Sequence, residues 1–419
     1  MHHSLPLSVL LLISASLPAQ LATGALAMTG FSTTTFGIAT TGVASTGYPT
    51  PGFGGLSHAI LWDDQNPGDF VVAGAGFIGR ATILGPGAVS YATLTTNVGL
   101  VSQLSWDENH DLVFADSGTG QVRRLSLATN TVTDVSIGTQ PWGVDLNAGE
   151  LDPLTGDYYA GSNGTIYRLP AGATQALATP VASGLGGYVT GIAFDPVTGD
   201  LVATVLTVNR LVRIDGSGNV SNVCPQGSLP GPNSLAVDHN GDFVTGGGTG
   251  QVHRIPRAGG TPVFLFNNSN PLGNVNGITV VGGGGYGRPF GSACSAAAGP
   301  ATLRASGAFR TGQTLTLASS NHAANTVGVL VLGLSNTTWL ATPLPLLLDP
   351  LLGTSGCSLH VSGDVTSAGV AGAASPADLV FSLPLAPAFA GQRFFAQHVG
   401  LEPVAGGLSW SNGLAFAIR

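Results

Sequence analysis

The sequence predicts an all-β protein, a β-propeller of six blades followed by a second domain of the β-sandwich or jelly-roll kind. Three observations lead there. An Asp recurs at positions 63, 107, 152, 195 and 238, a spacing of 43 to 45 residues. Each repeat reads as short strands separated by tight turns, and four short strands in about 43 residues is the signature of a propeller blade. The composition agrees, with 63 Gly and only 8% charged residues, which suits strands and turns better than helices.

Within each repeat, an apolar strand ends in the recurring Asp. A polar turn follows, and a second strand is opened by another Asp at 69, 111, 157, 200 and 242. A Gly-rich tip leads into a third strand carrying Arg80, Arg124, Arg168, Arg213 or Arg254. A hairpin with its turn midway sets the second Asp opposite that Arg, so each blade is expected to carry a cross-strand Asp–Arg pair of structural character. Trp62 and Trp106, one residue before the recurring Asp, read as core.

A sixth unit starts at Asn276 to Val281 and then loses the pattern. Residues 29–54 are β-prone and precede the first full unit, so they are expected to complete that last blade, closing the ring and removing exposed strand edges. The propeller then spans 29–281. A seven-bladed alternative, with 29–54 as a blade of their own, stays open.

The run Gly282–Gly285 reads as a linker, and residues 286–419 as the second β domain, with apolar runs such as Val327 to Leu334 and Leu379 to Leu383 between Gly, Pro and Ser turns. At the other end, an apolar run from Leu5 to Leu17 followed by Pro18-Ala19 reads as a signal peptide over residues 1–19. Ala25-Leu26-Ala27 is the alternative cleavage site. No later stretch is long and apolar enough to span a bilayer, so a secreted, periplasmic or cell-surface location and a monomer are expected.

The net charge of -8 argues against nucleic acid, and all thirteen cations are Arg. Without Lys there is no Schiff-base chemistry, covalently held pyridoxal phosphate or P-loop. Cys224, Cys294 and Cys357 form no CxxC pair. Export favours a disulfide between Cys294 and Cys357 with Cys224 buried, against three unpaired thiols.

Propeller ligands meet the face where the innermost strands begin. Stepping five residues back from each recurring Asp gives His58, Ser102, Asn147, Thr190 and Asn233, and the period carries on to Asn276. All are polar although their neighbours are mostly apolar, which marks a polar ring at the channel mouth as the candidate binding site. The competing reading is a ring that hydrogen-bonds channel water and neighbouring backbone. Trp142, Asp145 and Tyr188 lie in loops leading to the same face, where aromatic rings beside amides suit a sugar or another polar ring compound. The plainer role for each is loop packing.

No catalytic set emerges. There are three Glu, at 108, 150 and 402, and no GxSxG elbow, HExxH or CxxC. No spacing makes Asp116, Ser117 and His58 a nucleophile group. The stretch GGGGYGRPFG is Gly-rich but lies outside any strand-to-helix setting for a dinucleotide.

The segments PNSLAVDHNGDFVTGGGTGQVHRI and VTGIAFDPVTGDLVATVLTVNRLVRID resemble the NHL and gluconolactonase-like, regucalcin-type six-bladed propellers, and also streptogramin lyase. In the lactonase branch the resemblance implies one divalent cation (Ca, Mg, Mn or Zn) held at the mouth by carboxylates and Asn. Asn233 and Asn276 match the Asn positions. The other matching places hold His58, Ser102, Asn147 and Thr190, which leaves Asp145 or Glu150 as the carboxylates in reach. The tail, with GSACSAAAGPATLRASGAFRTGQTLTL, PLPLLLDPLLGTSGCSLHVSGDV and LSWSNGLAFAI, resembles a C-terminal β domain of secreted planctomycete proteins. Such a module, joined to varied repeats, implies attachment, export or assembly.

These readings favour a propeller that binds an extracellular protein or carbohydrate at its channel face. A metal-assisted lactonase or lyase using Asn233, Asn276, Asp145 and His58 is the alternative, and a purely structural envelope protein is a third.

Overall fold

The computed structural model describes residues 25–30, 35–39, 46–49 and, apart from short loop segments, 57–418. The expected signal peptide and the Gly282–Gly285 linker lie outside the described residues.

Six four-stranded antiparallel sheets are formed among the described residues of the repeat region. The first is built from Ser57–Trp62, Asp69–Gly74, Phe77–Gly85 and Ala88–Thr95. Four more open with Val101–Trp106, Ala148–Leu151, Val189–Phe194 and Ala236–Val237. The sixth opens with Gly277–Val280, and its remaining strands come from the beginning of the chain: Leu26–Thr29, Thr35–Ala39 and Thr46–Pro49. The six opening strands lie against one another in chain order, and Gly277–Val280 lies against Ser57–Trp62, so the array returns on itself as a β-propeller. We number the blades I to VI in that order.

Closure begins three residues before the expected start of 29, because Leu26–Thr29 alternates its side chains between two cores. Ala27 packs with Phe36, Ile60 and Phe70 on one side. Leu26 and Met28 pack with Val244, Val252 and Ile278 on the other. The tripeptide Ala25-Leu26-Ala27 therefore sits at the buried start of a blade strand.

The recurring Asp does two jobs. Its carboxylate caps its own turn, as Asp107 accepts from the N–H of Asn109 and Asp111, both at 2.9 Å, and as Asp195 accepts from Thr198 at 3.1 Å. In four blades it also takes the third-strand Arg, which revises the expected pairing there. In blade I, Asp69 stands opposite Thr82 and Arg80 opposite Val71, so the second Asp and the Arg are two residues out of register. The guanidinium comes nearer to the buried Asp at the end of the first strand, Arg80 to Asp63 at 3.4 Å, Arg124 to Asp107 at 3.0 Å, Arg213 to Asp195 at 2.5 Å and Arg254 to Asp238 at 2.9 Å, while the expected pairs Arg80–Asp69 and Arg213–Asp200 stand at 3.8 Å. The second Asp mainly caps the turn after the third strand, as Asp111, Asp157 and Asp242 accept from Leu127, Ala171 and Arg257. Blade III keeps the expected pair: Arg168 bonds Asp157 at 2.6 Å.

The C-terminal domain is a sandwich of two antiparallel sheets. The larger orders Gly287–Phe290, Gly413–Ala417, Arg393–Leu401, Val327–Gly333 and Val365–Val370, and the smaller orders Thr302–Ser306, Thr314–His322 and Ala377–Pro384. Leu317, Leu330, Leu379, Phe381 and Phe416 form the core between them. Cys294 and Cys357 are disulfide-bonded in a second cluster with Leu348, Leu359 and Trp410. Cys224 is free and buried among Leu211, Val223 and Phe243. No helix among the described residues is long and apolar enough to cross a membrane.

Candidate functional site

The six ring positions share one environment. His58, Ser102, Asn147, Thr190, Asn233 and Asn276 are all half-buried, and in five of the six blades both sequence neighbours are buried; the exception is Gln103 beside Ser102. A local device places them. In blades I, II and IV the register between first and second strands slips across this residue, from Ser57 to Ala59, Val101 to Gln103 and Val189 to Gly191. His58, Ser102 and Thr190 are thus the extra residues of β-bulges, which re-aim a side chain out of the strand's alternation. In blades III, V and VI the equivalent Asn precedes the strand and is tied by its backbone N–H to Gly161, Gly246 or Thr29 at 2.9, 2.9 and 2.8 Å.

Three ring side chains stitch one blade to the next. Ser102 Oγ donates to the carbonyl of Leu146 at 3.2 Å, and Thr190 Oγ1 to that of Pro232 at 2.7 Å. Leu146 and Pro232 immediately precede the ring residues Asn147 and Asn233. Asn233 Nδ2 donates to Asn276 Oδ1 at 3.1 Å. These bonds engage part of the ring in holding neighbouring blades together, as the competing structural reading expects. Burial lowers the His58 pKa to about 4, so the ring's imidazole is neutral at physiological pH.

Below the ring lies a residue that the repeat reasoning missed. Gln103 of blade II reaches into the channel, where its Oε1 accepts from the backbone N–H of Gly149 at 3.3 Å and of Ile192 at 3.2 Å. Its Nε2 donates to Ile192 O at 2.7 Å and to Glu150 Oε2 at 3.0 Å. Gly149 and Ile192 belong to the innermost strands of blades III and IV, whose inner edges face the axis without a further strand. One amide thus bridges three blades and forms a floor beneath their side of the mouth. The equivalent positions are Ala59, Ala148, Gly191, Ser234 and Gly277, and this break from small residues was the available sequence signal.

Of the loop residues, Tyr188 is 43% exposed and sits two residues before Thr190. Trp142 corrects the expectation of a binding ring. It is only 4% exposed, donates from Nε1 to Gly120 O at 3.0 Å and packs edge-on against Tyr167, because it fills the seam between blades II and III. Asp145 lies outside the described residues. Asp116 is a structural carboxylate holding the N–H of Gly99 at 2.9 Å and Arg123 at 3.1 Å, while Ser117 donates to Leu100 O at 3.0 Å. Neither is arranged as a nucleophile with His58.

A divalent cation fits the described mouth poorly. The six positions include no carboxylate, Asn276 Oδ1 already accepts from Asn233, and neutral amides alone hold a hard cation weakly. No cluster of three His, Cys, Asp or Glu suited to a metal occurs among the described residues.

No family model matches the sequence, and no curated protein matches it. Solved structures do. A chain from a nidogen/laminin complex aligns with a TM-score of 0.52 and 14% identity over 61% of this chain and 98% of its own. A streptogramin B lyase structure gives 0.39 and 18% over 51% and 70%, and virginiamycin B lyase from Staphylococcus aureus gives 0.42 and 15% over 57% and 83%. At 14% identity the first likeness is one of fold, and it agrees with the propeller seen in the sheets.

Proposed function

We propose that this is an exported protein whose propeller binds an extracellular protein or a carbohydrate at its polar mouth, with the C-terminal domain serving attachment or assembly. The observation that supports this most is the bulge at His58, Ser102 and Thr190, repeated in three blades at the same polar position of the innermost strand. The exposed Tyr188, two residues before Thr190, favours an uncharged, hydroxyl-bearing ligand. The chain similar in fold from a nidogen/laminin complex keeps a protein ligand within the same proposal. We also place the propeller with the NHL and gluconolactonase-like type on the motifs around Asn233 and Asn276.

The alternative, a metal-assisted lactonase or lyase, would need Asp145 or Glu150 to complete a cation site with Asn233, Asn276 and His58. Glu150 already receives the Gln103 amide. A glycan array and a panel of extracellular proteins, probed with wild type and with Tyr188→Ala, test the binding role. Expected is a hit weakened at least about tenfold by Tyr188→Ala with an unchanged melting temperature. Hits unaffected by this variant would place binding elsewhere. Hydrolysis or elimination restored by added Ca, Mg, Mn or Zn would favour the enzyme.

A further inference from the structure

We propose that Arg288 is a latch that docks the C-terminal domain on the propeller face opposite the polar mouth, so that the two domains form one oriented unit. Arg288 lies in Gly287–Phe290, the edge strand that opens the larger C-terminal sheet. Its Nη1 donates to Asp152 Oδ2 at 2.8 Å, across 136 positions of chain. Asp152 is the recurring Asp of blade III and is fully buried.

Blade III is arranged for this visitor. In blades I, II, IV and V the recurring Asp is neutralised by the Arg of its own third strand. In blade III that Arg, Arg168, is engaged with Asp157 instead, and the charge of Asp152 is met by Arg288. A buried carboxylate needs a partner, so blade III is complete only with the second domain in place.

The neighbouring turn in blade IV contributes shape. Gly199, at φ +73°, has the Arg288 stem where a side chain would begin, with Cγ 2.7 Å from the position of a Cβ. Any larger residue would displace the stem. Gly199 thus serves both its turn and the approach of the arginine.

The geometry fixes which face is covered. Asn147 and Asp152 flank the innermost strand Ala148–Leu151 of blade III, so the latch and the ring are about 16 Å apart along the strand, at opposite ends of the channel. A tail that attaches to a surface would therefore hold the mouth away from that surface. This consequence rests on the binding role proposed above; the latch does not.

The test uses the full chain with Arg288→Gln, Asp152→Asn, both together, and Arg168→Gln as control. Asp152→Asn keeps the side-chain oxygen that caps Leu154 N at 2.9 Å, so the turn is preserved. The readouts are proteinase K cleavage between residues 281 and 287 and the interdomain distance distribution from small-angle X-ray scattering. Expected are a broader distribution and cleavage about three- to tenfold faster in each single variant, no further change in the double variant, and wild-type behaviour for Arg168→Gln. Unchanged scattering and cleavage in Arg288→Gln, or effects of the two variants that multiply, would overturn the latch. If Asp152→Asn loses its fold, Arg288→Gln alone decides. Ligand binding at the mouth is not read in this experiment, so failure of the latch and failure of the binding role are separable.

Discussion

The side-chain amide of Gln103 hydrogen-bonds both backbone groups of Ile192, at 2.7 and 3.2 Å, across 89 positions of chain and two blades of the ring. This amide links inner strands that no β-ladder joins. Removing it leaves the N–H groups of Gly149 and Ile192 without their partner. Gln103→Ala is expected to cost about 1–3 kcal/mol in denaturant unfolding. Amide hydrogen exchange at Gly149 and Ile192 should accelerate by more than the global change, while blade VI amides follow the global change alone.

The recurring aspartates should prove far more costly to remove than the exposed ones. Asp195 is buried and holds Arg213 and Arg257, at 2.5 and 3.5 Å. Asp195→Ala leaves two guanidinium groups without that carboxylate and an uncapped turn, an expected loss of about 3–5 kcal/mol. Asp134 pairs with the same Arg123 that Asp116 holds, but its side chain is 54% exposed. Asp134→Ala should stay within about 1 kcal/mol. Urea denaturation of the two variants side by side makes the comparison.

Acid should weaken the C-terminal domain through a buried histidine. His398 is fully buried, neither ring nitrogen has a hydrogen-bond partner among the described residues, and its pKa falls from 6.5 to about 3, first through burial and then through the nearby His322. Below its ordinary value the unfolded chain takes up a proton that the native chain does not. Stability is therefore complete above pH 6.5 and declines as pH falls toward about 3, at up to about 1.4 kcal/mol per pH unit. Burial raises Glu402, but hydrogen bonds from His322, Ala323, Ser409 and Thr326 outweigh it and hold the carboxyl below its ordinary value, so its contribution is also lost in acid. His398→Phe should flatten the loss measured between neutral pH and about pH 4. An unaltered pH profile would refute the assignment.

The disulfide should matter to one side of the sandwich. Cys294–Cys357 closes 63 residues and sits among Leu348, Leu359 and Trp410, apart from the core between the sheets. Cys357→Ser is expected to cost about 2–4 kcal/mol. Faster hydrogen exchange should be concentrated around Leu346–Leu347 and Ser358–Leu359, with the propeller amides unchanged.

The array was legible because the Asp at 63, 107, 152, 195 and 238 closes the first strand of each full repeat, and in four of the five it also takes the third-strand arginine. The shared half-buried environment of the six candidate positions had a related signal, a polar residue five places earlier in an otherwise mostly apolar neighbourhood. The expected pairing of the second Asp with the Arg holds in blade III but is outdone in the other four, because strand periodicity says which residues share a face but not how far a guanidinium reaches along it. Gln103 and Arg288 escaped because each acts once, outside the period, on a partner distant in sequence. The buried group of Ser319, His322 and Glu402 joins residues 80 positions apart and left no local pattern.

If Asn147, Thr190 and Asn233 border a binding surface, as proposed, a bulky side chain among them must block it. Titration of the tightest hit from the glycan and protein panels against Asn147→Trp, a half-buried position at the mouth, should show binding lost by at least about a hundredfold with the melting temperature retained. Full affinity in a folded Asn147→Trp protein would contradict it.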